Sequence, residues 1–221
     1  MDNELFTLVD NYISKLVAVE DDVLQGVNTS IEQADMPQIS VSASQGKFLQ
    51  LLAKLTQARK ILELGTLAGY STIWLARALP NNGKLITIEY SEKHAQVALT
   101  NIKKANLQEI VDIRVGRALD ILPQIEKKNE GPFDLIFIDA DKPPYLEYFD
   151  WAIKLARPGT LIIADNVIRE GKVLDAKNAD ERVKGVQRLN ESLSKDTRVF
   201  STIIQTVGTK EHDGMILAIV N

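Results

Sequence analysis

The chain has 221 residues, 45% of them hydrophobic and 25% charged, enough for one well-buried core, and no stretch approaches the roughly 18 uninterrupted apolar residues of a membrane span. Lys and Arg total 26 against 30 Asp and Glu, for a formal charge of -4, so whole-protein attraction to nucleic acid is not expected and a small-molecule substrate is favoured. Cysteine is absent, which excludes disulfides, thiolate nucleophiles and cysteine-type zinc sites and leaves oxygen or histidine ligands for any metal.

Residues 1–56 read as helices, with a break around 35–40 (DMPQIS) and a second helix near 44–56. The early acidic residues and the lack of a basic-then-apolar leader give a cytoplasmic expectation, with no membrane partner. Strands follow over 60–65 (KILELG), 84–90 (KLITIEY), 111–116 (VDIRVG), 133–140 (FDLIFIDA) and 159–166 (GTLIIADN). Most are near-continuous apolar runs, as in strands covered on both faces. Helical stretches over 70–79, 91–105, 117–127 and 145–156 separate them, the second opening on Ser91 as an N-cap. A further helix over 180–194 precedes two β-rich runs, 198–207 and 214–220, split by the turn-like GTKEHD. The expected fold is α/β: a doubly wound, mostly parallel seven-stranded sheet with N-terminal helices and a C-terminal antiparallel hairpin, in one domain spanning 1–221.

In such a sheet ligands bind beyond the carboxyl ends of the strands. The first strand runs into Glu63-Leu64-Gly65-Thr66-Leu67-Ala68-Gly69-Tyr70-Ser71, a glycine turn entering a helix whose free N–H groups suit a carboxylate. The spacing G-x-x-x-G lacks the middle glycine of the dinucleotide turn G-x-G-x-x-G, which counts against a nicotinamide enzyme. Glu89 ends the second strand, where a carboxylate accepts from both hydroxyls of a ribose. Glu63, Glu89, Asp139 and Asp141 together suit a sulfonium cation better than phosphates. Gly116-Arg117-Ala118 falls where an adenine edge would lie.

The fourth strand ends Asp139-Ala140-Asp141-Lys142 and the fifth Asp165-Asn166. Asp139, Asp165 and Asn166 form a hard oxygen set suited to Mg²⁺, or another divalent ion such as Mn²⁺ or Ca²⁺. Successive strand residues point to opposite faces, so Asp165 and Asn166 share an ion only if the backbone turns between them. A cation there would acidify an acceptor held by two vicinal oxygens, with Lys142 as the base. Asp and Asn are also common in plain strand-end turns. His94 reads as a solvated residue of a charged helix and His212 as loop.

These residues resemble the cation-dependent O-methyltransferases that include catechol O-methyltransferase and caffeoyl-CoA O-methyltransferase. The resemblance runs from about Val41-Ser42-Ala43 to Asp213-Gly214-Met215, through ELGTLAGYS at 63–71, TIEYSEKHA at 87–95, FDLIFIDADK at 133–142 and ADNVIREG at 164–171. It implies S-adenosylmethionine held by Val41, Glu63, Gly65, Thr66, Gly69, Ser71, Glu89, Ala118 and Asp139. It further implies a metal on Asp139, Asp165 and Asn166, a basic catalytic role for Lys142 with Asp139, and a homodimer. Acceptor selectivity in the family resides around 28–42 and 168–180, and the 1–56 extension would form part of the substrate and dimer region. Catechols, caffeoyl esters and flavonoids present the same two oxygens to a metal. A hydroxyuridine in transfer RNA is the alternative acceptor, for which Arg169, Lys172, Arg182, Lys184 and Arg188 are a candidate basic patch.

Overall fold

The computed structural model describes residues 3–221. Its first three helices are α1 (Asn3–Val17), α2 (Asp22–Gln33) and α3 (Ala43–Leu55). The sequence reading places one break in this region, but the structure has two. Asp21 caps α2 by accepting from the backbone N of Leu24 (3.1 Å), and this competing hydrogen bond ends one helix and starts the next. The second break matches the expectation, with Ser42 and Gln45 closing a capping box at the start of α3.

The order then alternates: β1 (Lys60–Leu64), α4 (Tyr70–Ala76), β2 (Lys84–Glu89), α5 (Glu92–Lys104), β3 (Val111–Val115), α6 (Ala118–Lys127), β4 (Phe133–Ile138), α7 (Tyr145–Lys154) and β5 (Ala156–Asp165). A 3-10 segment (Arg169–Leu174), α8 (Glu181–Leu193), β6 (Val199–Thr206) and β7 (Asp213–Val220) complete the chain. The seven strands form one sheet in the order β3-β2-β1-β4-β5-β7-β6, with β7 antiparallel to both β5 and β6. This is the doubly wound sheet with its closing hairpin. β5 begins three residues earlier than expected, because Ala156 pairs with Phe133 across a bulge despite Pro158 and Gly159.

Alternation along the strands divides the core. Ile61, Leu85, Leu135, Phe137 and Ile163 pack on one face, against α2, α3, α4 and α5. Leu62, Leu64, Ile86, Ile136, Ile138 and Ile162 pack on the other, against α6, α7 and α8. Burial on both faces is what makes these strands read as continuous apolar runs. No helix among the described residues is long and apolar enough to cross a membrane.

The strand order reverses between β1 and β4, whose carboxyl ends lie side by side, with Asp139 N donating to Leu64 O (2.8 Å), while on the other flank of β1 Gly65 N donates to Ile88 O of β2 (2.9 Å). A Cβ on Gly65 would fall 2.0 Å from the carbonyl oxygen of Asp139, and its φ is +98°. Only glycine satisfies both conditions at this switch point.

Candidate active site

A cavity of about 1170 Å³ opens at that switch point. It is lined by Val41, Gly65, Thr66, Ser71, Glu89, Ala118, Asp139, Lys142 and Asn166, all singled out from sequence. Glu63, Gly69 and Asp165 do not line it. Their positions explain why.

Glu63 lies under the cavity floor, fully buried, where β1 and β2 pair Glu63 with Thr87. Its carboxylate accepts from Ser71 Oγ (2.7 Å), Thr72 Oγ1 (2.5 Å) and Thr87 Oγ1 (2.7 Å). Thr87 has one hydroxyl proton and gives it to Glu63, so Thr66 Oγ1, 2.6 Å away, donates to Thr87. Burial pushes the Glu63 pKa up to about 7 against these three donors, with the Asp139 charge adding to the rise. Glu63 thus ties the glycine turn to the sheet from below. Gly69, at φ +87°, forms the left-handed entry to α4 behind the same turn.

Glu89 holds the upper side of the turn. Its Oε2 accepts from the backbone N of Thr66 (3.2 Å) and Leu67 (2.8 Å), and Oε1 accepts from Ser91 N (2.9 Å). His94, read from sequence as solvated, instead packs its Nδ1 3.4 Å from Glu89 Oε1 and lines the cavity. The helical spacing that exposes one face of α5 also swings its first turn back over the end of β2.

At the other end of the cavity the Asp165–Asn166 condition is met. β5 stops at Asp165, and Asn166 adopts φ +61° with its N donating to Asp165 Oδ1 (2.8 Å). Asp165 is 2% exposed, and burial followed by the neighbouring Asp139 charge raises its pKa to about 8, with Lys142 opposing the rise. Lys142 Nζ donates to Asp139 Oδ1 (3.0 Å), Tyr145 OH (2.5 Å) and Asp165 O (3.2 Å).

Tyr145 was not singled out from sequence. It is fully buried, and its hydroxyl lies 2.8 Å from Asp165 O and 3.2 Å from Ile138 O. Burial and the charges of Asp139 and Asp165 hold the phenol well above its ordinary pKa, so it stays neutral, donating to the Asp165 carbonyl and accepting from Lys142, which it fixes. An aromatic residue at the start of a helix reads as core, and the only sequence signal was its spacing of three from Lys142. Arg169 and Arg182 also line the cavity.

Among the described residues no group of three His, Cys, Asp or Glu side chains is placed to share a metal ion. The candidate set has two carboxylates and an amide instead. Its chemistry fits a hard cation: Asp139 and Asp165 repel one another in a low-dielectric site, and every donor is oxygen.

The model of the O-methyltransferase family matches residues 14–220. The chain is 62% identical over 220 residues to the catechol O-methyltransferase of Niastella koreensis, covering 100% of each. Among solved structures, an O-methyltransferase from Bacillus cereus in complex with SAH superposes with a TM-score of 0.96 at 51% identity, covering 99% of each chain. The O-methyltransferase TomG from Streptomyces achromogenes in complex with SAM gives 0.97 at 48% identity, covering 100% of this chain and 99% of that one. The family match and these SAH- and SAM-bound neighbours define an S-adenosylmethionine-dependent O-methyltransferase built on a doubly wound sheet. The chain belongs to the O-methyltransferase family.

Proposed function

We propose that this chain transfers the methyl group of S-adenosylmethionine to one hydroxyl of a catechol-type phenolic, with a divalent cation bound beside the acceptor. The observation that carries the reading is a single cavity with the glycine turn and Glu89 at one end and Asp139, Lys142 and Asn166 at the other. Its volume exceeds that of a typical small-ligand site of roughly 300–1,000 Å³, as a cofactor and an acceptor together require. Support also comes from the similarity to enzymes named catechol O-methyltransferase.

In this reading Gly65 and Thr66 bring backbone close to the cofactor, Val41, Ser71 and Ala118 contact it, and Glu89 accepts from its ribose. Glu63 and Gly69 act indirectly, by fixing the turn. The sulfonium supplies an electrophilic methyl carbon, and the reaction forms an O–C bond as the S–C bond breaks. Asp139, Asp165 and Asn166 would hold the cation, whose charge lowers the pKa of a bound hydroxyl. Lys142 is the base placed to take the hydroxyl proton, and Tyr145 keeps its Nζ in place. Alignment of acceptor and methyl donor within one cavity supplies much of the rate. We further propose that the chain works as one domain and as a cytoplasmic homodimer, with 1–56 on the acceptor side.

The candidate basic patch gives the transfer RNA alternative little support. Four of the five cations of the candidate basic patch are held by a carboxylate at close range, Lys172 by Glu170 (2.8 Å), Arg182 by Asp180 (2.9 Å), Lys184 by Glu181 (2.7 Å) and Arg188 by Glu147, and only Arg169, 3.9 Å from Asp213, is not. A neutralised face offers few free charges for phosphate contacts. The test is transfer of label from methyl-labelled S-adenosylmethionine to catechol, run beside a transfer RNA containing 5-hydroxyuridine. Label in the catechol alone is expected, whereas label in the RNA alone overturns the assignment.

A further inference from the structure

Beyond β5 the chain makes a run of left-handed turns: Asn166 (φ +61°), Arg169 (+54°), Glu170 (+58°) and Gly171 (+82°). Three of these are not glycine, and such residues keep this conformation only where their surroundings hold it. Here Asp213 does so, its Oδ1 accepting from Ile168 N (2.8 Å), Arg169 N (3.0 Å) and Gly214 N (2.9 Å). Glu170 N adds a bond to His212 O (3.0 Å). The hairpin turn between β6 and β7 therefore fixes the segment so that Arg169 lines the same cavity as Lys142 and Asn166.

Arg169 is short of partners there. Among the described residues its one carboxylate within 4 Å is Asp213, whose Oδ2 lies 3.9 Å from Nη1, beyond hydrogen-bond distance, while Oδ1 of that residue accepts from three backbone N–H groups. Its Nε is buried and has no hydrogen-bond partner. A guanidinium N–H buried without an acceptor is costly, and its planar fork matches a carboxylate. Arg117 also lines the cavity without a carboxylate partner among the described residues, but it belongs to the Gly116-Arg117-Ala118 turn assigned to the adenine end. Arg182 is clamped by Asp180 (2.9–3.2 Å), Asp141 accepts from Tyr148 OH (2.6 Å), and Glu147 takes Arg188 on Oε1, its Oε2 being buried without a partner.

We propose that Arg169 binds an anionic substituent of the methyl acceptor, so that the preferred substrates are catechols that carry a carboxylate. This rests on the reading of the chain as a catechol-type O-methyltransferase. The methylated hydroxyls lie at the Asp139–Asn166 end, and the carboxylate on the far side of the ring meets Arg169. Wall residues of this kind set selectivity between acceptors without taking part in the bond change.

The test compares 3,4-dihydroxybenzoate with the neutral 4-methylcatechol. In Arg169→Met the ratio of kcat/KM for the acid to that for the neutral catechol is expected to fall about tenfold or more, in KM rather than kcat, with partial recovery in Arg169→Lys. In the unaltered enzyme, KM for the acid is expected to rise with added salt while that for 4-methylcatechol stays level, a readout that does not depend on the variant folding. An unchanged ratio, or a salt response shared by both acceptors, overturns the proposal. Failure of the unaltered enzyme to methylate either catechol contradicts the activity itself and is distinct from both results.

Discussion

Lys142 Nζ and Asp139 Oδ1 lie 3.0 Å apart, joining the residue that ends the apolar run of β4 to the base candidate three positions on. The same Nζ touches the carbonyl of Asp165 at the end of β5. Two strand ends that bear opposing carboxylates are thus bridged by one side chain. Lys142→Met is expected to lower kcat by about 10²-fold or more, the size of a general-base contribution, while S-adenosylmethionine affinity measured by calorimetry changes little. Equal loss of cofactor binding would move Lys142 from the acceptor side to the cofactor side.

Glu63 makes a pH-dependent contribution of defined sign. Its pKa rises from 4.5 to about 7 on folding, so the native state holds the extra proton. Stability from this group is fully present below about pH 4.5 and is lost as pH rises through 7. At about 1.4 kcal/mol per unit the loss comes to roughly 3–4 kcal/mol. Denaturant unfolding of Glu63→Gln and the unaltered protein at pH 5 and pH 8 checks this. The variant is expected to gain on the unaltered protein as pH rises, and a constant difference would show that Glu63 does not titrate there.

Gly65→Ala places a methyl group 2.0 Å from Asp139 O at φ +98°, with backbone rather than a flexible side chain in its way. Overpacking and left-handed strain together predict a loss of about 3 kcal/mol or more in unfolding free energy, with loss of cofactor binding. A stable Gly65→Ala protein that still binds the cofactor would mean that the ends of β1 and β4 separate easily.

Most of the sheet was legible because its strands are buried on both faces, and their apolar runs stand apart from the amphipathic helices between them. The break before α2 was not, since it rests on one capping hydrogen bond from Asp21 inside a uniformly helical pattern. Among site residues, Glu63 announced itself as a lone carboxylate in the run KILELG. What it does there depends on Thr87, a residue as ordinary in a strand as any other β-branched side chain. Tyr145 enters the site only through tertiary placement, by burial under Lys142, whereas Arg169, read from sequence as part of a basic patch, reaches the cavity through left-handed turns that the distant Asp213 holds.

Metal dependence is the central claim on the acceptor side, and one assay addresses it most directly. Transfer of label from S-adenosylmethionine to catechol is measured in metal-stripped enzyme with added Mg²⁺ and again with EDTA, beside Asp165→Ala. The account predicts transfer with Mg²⁺, none with EDTA, and none in Asp165→Ala despite intact cofactor binding. Equal turnover in Mg²⁺ and EDTA would contradict it and leave Lys142 to activate the hydroxyl without a cation.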